Sequence, residues 1–214
     1  MMPQGTRIYV AGQAEKGATL AEATRRTLES LRATLKFLGV RETDVVQLKA
    51  FLKPMTDVHD VRRELATFFG SQPVPPVAFV EWESSLPIEI ELIAWGGRDQ
   101  SGDPVEFVTP PGMATSTVFS RVARINHSRI IYVSGLYGTK SQDAATETRE
   151  IFESLRGLLD RTGSDLRHLA KATYYVSTDA ASTKLNELRP EFYEPARPPS
   201  ASKALVAGVG RPGK

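Results

Sequence analysis

Tyr9-Val-Ala-Gly12-Gln13 and, 123 residues later, Tyr132-Val-Ser-Gly135-Leu136 decide how this chain is read. The pattern returns in company. Leu28-Glu-Ser-Leu-Arg32 recurs as Phe152-Glu-Ser-Leu-Arg156, and Gly39 recurs as Gly163, both at an offset of 124. Thr56-Asp57 recurs as Thr178-Asp179, and Glu64 to Phe68 matches Glu187 to Phe192. Matches in one order, with offsets held within two residues, are the signature of a tandem duplication. Residues 1–95 read as the first copy and 115–214 as the second. Between them, 96–114 is rich in Gly, Pro, Asp and Ser, the composition of a linker. The run Val105-Glu-Phe-Val108 inside it is apolar enough to pair at a sheet edge.

Working outward from the repeated stretch, each copy shows one order of elements. Copy one opens with a strand at Arg7–Ala11. Leu20, Thr24, Leu28, Leu31, Leu35 and Leu38 then fall three or four apart, which predicts a helix ended by Gly39. Val46, Leu48, Ala50 and Leu52 alternate as in a strand. Asp57 opens a second helix with the apolar stripe Val58, Val61, Leu65 and Phe68. Strands over Val77–Trp82 and Ile88–Trp95 complete the copy. Copy two repeats this with an extra opening strand, Thr117–Ile125, a helix over Asp143–Leu159, a strand over Ala170–Val176 and a helix over Ser182–Phe192. A β-β-α-β-α-β-β order predicts an α+β unit, a mixed sheet with both helices on one face. Copy one has too few residues before Arg7 for the first strand, and copy two has no counterpart of Ile88–Trp95. Either the chain is a piece of a longer protein or a neighbouring segment supplies those strands.

Composition removes several function classes. Of 214 residues, 41% are hydrophobic and 24% charged, which is the balance of a globular chain and not of a disordered one. Lys and Arg exceed Asp and Glu by two, so no basic field recommends nucleic acid or an anionic membrane as partner. Without cysteine there is no disulfide, thiol nucleophile or thiolate metal site. His59, His127 and His168 are never four apart, which argues against a zinc or iron site. No apolar run spans a bilayer and no leader-like segment precedes Arg7, so the expected location is the cytoplasm. Gly208-Val-Gly210-Arg-Pro-Gly213 fits a dinucleotide fingerprint in spelling alone, because Pro212 leaves no helix for it to open. No cofactor is expected.

Glu89 and Glu91 lie two apart on one strand and share a face. Periodicity alone reads them as the solvated side of a half-buried sheet, with Lys49 and Lys53 near enough to offset their charge.

Tyr132-Val-Ser-Gly-Leu-Tyr-Gly, the helical Glu-Ser-Leu, Lys171-Ala-Thr-Tyr-Tyr-Val and Ile88-Glu-Ile-Glu-Leu-Ile-Ala together resemble the YjgF/RidA family, also called the endoribonuclease L-PSP or translation-inhibitor family. The resemblance covers nearly the whole chain, once per copy. It implies two tandem chorismate-mutase-like α+β units, a homotrimer with small-molecule clefts between subunits, and cofactor-free hydrolysis of enamines and imines to 2-keto acids and ammonia. In that family an arginine grips the substrate carboxylate, a Ser-Gly-Gln turn lines the cleft and a glutamate positions the attacking water.

Carried over position by position, the resemblance makes Glu89 the water-positioning residue, with Gly12 and Gln13 as the cleft turn of copy one. Ser134 and Gly135 form the turn of copy two, where Leu136 replaces glutamine. Phe119 stands where the family often has tyrosine. The arginine position is Val77 in copy one; counting back from Arg211-Pro212 puts Lys203 there in copy two, a point charge without the planar fork. Two functions follow as expectations: an enamine/imine deaminase, or a non-catalytic module that binds small carboxylates.

Overall fold

The computed structural model of the chain describes residues 4–98, 101–139 and 143–209. Copy one forms β1 (Arg7–Gln13), α1 (Leu20–Phe37), β2 (Val45–Leu52), α2 (Val58–Phe69), β3 (Val77–Glu81) and β4 (Ile88–Trp95). Thr19 caps α1 by accepting from the Glu22 N–H, and Glu22 in turn accepts from the Ala18 N–H, so one end donor of the helix and one amide just before it are satisfied locally. Gly39 then leaves the helix at φ +69°, a conformation that a side chain disfavours. Leu28, Leu31 and Leu35 are at most 2% exposed. They pack against Ile88, Ile90 and Leu92, the alternate residues of β4.

The strand order is β3-β2-β4-β1-β6-β5, with β2 and β3 parallel and the remaining pairs antiparallel. Two of these six strands come from beyond copy one. β5 (Val105–Val108) is the apolar run inside the linker. β6 (Val122–Ile125) belongs to the segment expected to open copy two. It pairs instead with β1, from Arg7↔Ile125 to Val10↔Val122. The strand that copy one lacks is thus supplied by its neighbour.

The rest of copy two consists of α3 (Ala144–Arg161), β7 (Lys171–Val176), α4 (Asp179–Phe192) and β8 (Ser200–Leu205). β7 and β8 make a parallel pair in register Lys171↔Ser200 to Val176↔Leu205. Ala172, Tyr174, Val176 and Leu205 turn toward α3 and α4, where Phe152 stacks on Phe192 at 4.4 Å. The opposite row turns toward copy one. Ser120 and Ser200 bridge the two sheets, as do Glu83 and Leu205. The molecule is layered as helices, six-stranded sheet, two-stranded sheet, helices. Residues 126–139, which include the repeated Tyr132-Val-Ser-Gly135, form no strand.

Candidate functional site

Strand alternation puts Glu89 and Glu91 of β4 on the face away from α1 and α2, as their spacing predicts. That face is not solvated. β7 and β8 cover it, and Glu91 is only 5% exposed. The reason is tertiary: the layer above comes from residues 80 or more positions along the chain.

Glu91 sits between two lysines. Lys171 Nζ is 2.5 Å from its Oε2 and Lys49 Nζ is 3.2 Å from its Oε1. Burial opposes the Glu91 charge, but the two ammonium groups outweigh it and hold the carboxyl below its usual range. Burial also lowers Lys171 below an ordinary lysine, with Glu91 offsetting this only in part. Lys49 suffers the same desolvation, yet Glu91 carries it above its ordinary value. Lys53 takes no part and lies 3.7 Å from Glu83.

Glu89 behaves differently. Burial raises its carboxyl to about 7, and the neighbouring Glu91 adds to the rise; Ser202, Lys171 and Arg121 pull the other way. Ser202 favours the ionised form of both Glu89 and Glu91, while its Oγ accepts the Gly12 N–H at 3.1 Å. A hydroxyl has one proton to donate. With Lys49 and Lys171 fixing Glu91 as the anion, the carboxyl that takes up a proton near neutrality is Glu89. The Glu89 carboxyl also lies against the Gly12 backbone so closely that a Cβ there would stand 1.9 Å from Glu89 Oε1.

Arg121 immediately precedes β6 and is felt by Glu89 as a weak, more distant positive charge. Its peptide carbonyl accepts the Ala11 N–H at 2.8 Å, its Nε donates to the Ala114 carbonyl at 3.1 Å, and its guanidinium stacks 4.8 Å over Phe119. The site thus brings together Glu89, Gly12 and Ser202, while Arg121, its guanidinium over Phe119, contributes a more distant positive charge.

Other expected residues lie elsewhere. Gln13 is buried with its Nε2 donating to Thr34 Oγ1 of α1, on the helix side. Lys203 projects from the helix-facing row of β8, its Nζ toward the Ser182 carbonyl at 3.4 Å, so strand alternation places it opposite Ser202. Burial, with Arg189 nearby, lowers its proton affinity. Ser134 and Gly135 line a separate cavity of about 1500 Å³, which Glu91, Lys49 and Lys171 also border but Glu89 and Ser202 do not. Val77 opens β3.

Ser202 and Arg121 were not among the residues expected to act. For Ser202 a signal existed: Ser200, Ser202 and Ala204 form a row of small side chains, as needed where two sheets close tightly. For Arg121 there was none, because its position depends on β6 joining the other copy. Among the described residues no group of three or more His, Asp or Glu side chains could hold a metal ion, and no helix is long and apolar enough to cross a membrane.

Comparison with known proteins agrees with the repeat. The family model described as endoribonuclease L-PSP matches residues 1–95 and again 112–213. A RutC family protein of Pyrococcus horikoshii is 36% identical over 104 residues, spanning 42% of this chain and 80% of the relative. One from Pyrococcus abyssi is 34% identical over 103 residues, spanning 42% and 80%. Among solved structures, the YjgF gene product of E. coli aligns with 27% identity and a TM-score of 0.40, covering 42% of this chain and 81% of that one. A member of the YjgF/YER057c/UK114 family from Mycobacterium tuberculosis aligns with 26% identity and a TM-score of 0.40, covering 44% and 81%. With both halves of its duplicated sequence matched to one family, the chain belongs to the endoribonuclease L-PSP (YjgF/RidA) family and carries the family unit twice.

Proposed function

We propose that the chain hydrolyses small enamines or imines bearing a carboxylate, without a cofactor, and that Glu89 is the acid–base residue. One observation carries this reading: a carboxyl raised to about 7 by burial, beside an intersheet serine and a backbone wall at Gly12. Such a group is half-ionised at neutral pH, where general acid–base work is most effective. In its ionised form Glu89 takes a proton from a water that adds to the imine carbon. It gives that proton to nitrogen, and as the C–N bond of the carbinolamine breaks it takes the hydroxyl proton, releasing ammonia and a 2-keto acid. Arg121 is the group we assign to the substrate carboxylate, in place of the arginine that Val77 lacks. Phe119 keeps its guanidinium plane oriented. The ligand class is a small-molecule carboxylate, and the assembly we propose is a cytoplasmic homotrimer of tandem chains.

Freshly generated 2-iminopropanoate, followed by keto-acid release, tests the activity. The rate should exceed buffer, kcat/KM should rise as pH passes about 7, and Glu89→Gln should lower it by roughly 10²-fold or more. A wild-type rate no faster than buffer would sink the hydrolytic reading for that substrate. Val77 favours a second reading, a binding module without hydrolysis. Saturable pyruvate binding by calorimetry, lost in Arg121→Ala, with no turnover would select it.

A further inference from the structure

The two copies furnish one place in the unit differently. Lys171-Ala172 repeats Lys49-Ala50, so Tyr174 of β7 stands where β2 has Leu52. In copy one Leu52 is 0% exposed, shares its core with Val61, Leu65 and Phe69 of α2, and neighbours Glu81 of β3 in the parallel ladder. The α2 stretch Glu64–Phe68 carries no cation. In copy two the ladder neighbour of Tyr174 is Lys203, and the matching α4 stretch, Glu187–Phe192, carries Arg189. The unit folds without these charges in copy one, and copy two has them in addition.

Arg189 is 4% exposed, a costly place for a guanidinium that has no counter-ion. Its Cζ lies 5.1 Å over the Tyr174 ring, one terminal nitrogen donates to Asn186 Oδ1, and the other reaches the Val118 carbonyl at a long 3.5 Å. These acceptors are neutral, and the buried Nε has none. The hydroxyls of Tyr174 and Tyr193 meet beside the guanidinium. Lys203 Nζ points to the Ser182 carbonyl at 3.4 Å. Burial lowers the proton affinity of both cations, and Arg189 lowers that of Lys203 further, so the two charges feel each other. The acids of α4 on either side of Arg189 are engaged elsewhere: Glu187 with Lys184 at 2.6 Å and Glu191 with Arg149 at 2.9 Å. Among the described residues no carboxylate compensates Arg189 or Lys203.

We propose that Arg189 and Lys203, with the Tyr174 hydroxyl beside them, form a binding site for a phosphate-type dianion, either inorganic phosphate or the phosphate group of a small ester. A carboxylate would leave one of the two cations unbalanced. A doubly charged group balances both, and its oxygens suit a guanidinium that presents Nε and a terminal nitrogen side by side. Entry is past Asn186, which is exposed, and Lys203, which is half-buried. The phosphate replaces the Asn186 amide oxygen on the guanidinium and supplies the acceptor that Nε lacks. Strand alternation puts this site on the helix side of β8, opposite Ser202 and Glu89, so it stands apart from the reaction proposed above.

Calorimetric titration of the full chain with inorganic phosphate at low ionic strength tests the site, with thermal melts to check that each variant is folded. We expect saturable one-to-one binding that raises the melting temperature and that acetate does not match. Lys203→Gln should weaken phosphate binding by about tenfold or more. Arg189→Gln should abolish it; should that variant fail to fold, Arg189→Lys is the second arm, since it keeps a buried cation, loses the planar fork and should bind more weakly than wild type. Glu89→Gln and Arg121→Ala should bind phosphate as wild type does. Glycerol 3-phosphate binding through the same residues identifies an ester as the ligand, and a response to inorganic phosphate alone identifies the free ion; either supports the site. No saturable binding, equal binding of acetate, or an affinity unchanged in Lys203→Gln would overturn the proposal. So would loss of binding in Arg121→Ala, which would place the anion on the other side of the sheet.

Discussion

At the scale of single residues, Glu89 and Glu91 show how two identical side chains two positions apart acquire opposite properties. Glu91 has two lysines and stays ionised; Glu89 has one hydroxyl, a backbone wall at Gly12 and more distant cations. Their difference has a consequence for stability. The folded Glu89 binds its proton up to pH about 7, above its ordinary 4.5, so the folded state holds more protons than the unfolded chain between those values. The Glu89 contribution is therefore fully present below about 4.5 and is lost as pH rises through about 7. Glu89→Gln cannot ionise and should escape that loss. Measured by urea unfolding, the stability of Glu89→Gln relative to wild type should increase by about 2 kcal/mol between pH 4.5 and 8.5, less than the full shift implies because water reaches part of the site. Parallel pH curves for the two proteins would show that Glu89 titrates normally.

At the scale of elements, α1 was readable because its signals are local. The leucine stripe and Gly39 lie within the helix or next to it, and the helix spans Leu20–Phe37 as expected to within a residue. Thr19→Ala removes the cap and should cost about 1 kcal/mol, seen as a lower urea midpoint with unchanged slope. α2 is less well capped: Asp57 stands at its N-terminus but makes no side-chain hydrogen bond there. β6 was also expected as a strand, yet not as the neighbour of β1. Strand propensity is set by the chain's own residues, whereas pairing depends on which edge is open. β1 had an open edge, and the short linker strand β5 follows β6 onto the same sheet.

At the scale of the whole molecule, the copies are not independent. Without residues 101–209, β1 would lose its β6 partner, Val122 would leave the main core, and the Glu89–Glu91 face would be uncovered. Residues 1–98 alone should therefore be less stable than the full chain by about 3 kcal/mol or more, the scale of exposing two buried apolar side chains. Urea unfolding together with sedimentation would detect the loss or a compensating self-association, and a fragment as stable and monomeric as the full chain would refute it. The sequence by itself determined the duplication, the helices, the strands of copy one and the shared face of Glu89 and Glu91, because periods of 3.6 and 2 and fixed offsets are written along the chain. Through the resemblance of their motifs it also singled out Glu89 and Gly12. Only the tertiary structure decided that this face is buried rather than solvated, that Ser202 and not Lys203 meets Glu89, and that Arg121 arrives from the other copy. Those outcomes depend on which sheet closes over which, and the energies that choose between open edges and facing layers arise between residues 80 to 190 positions apart.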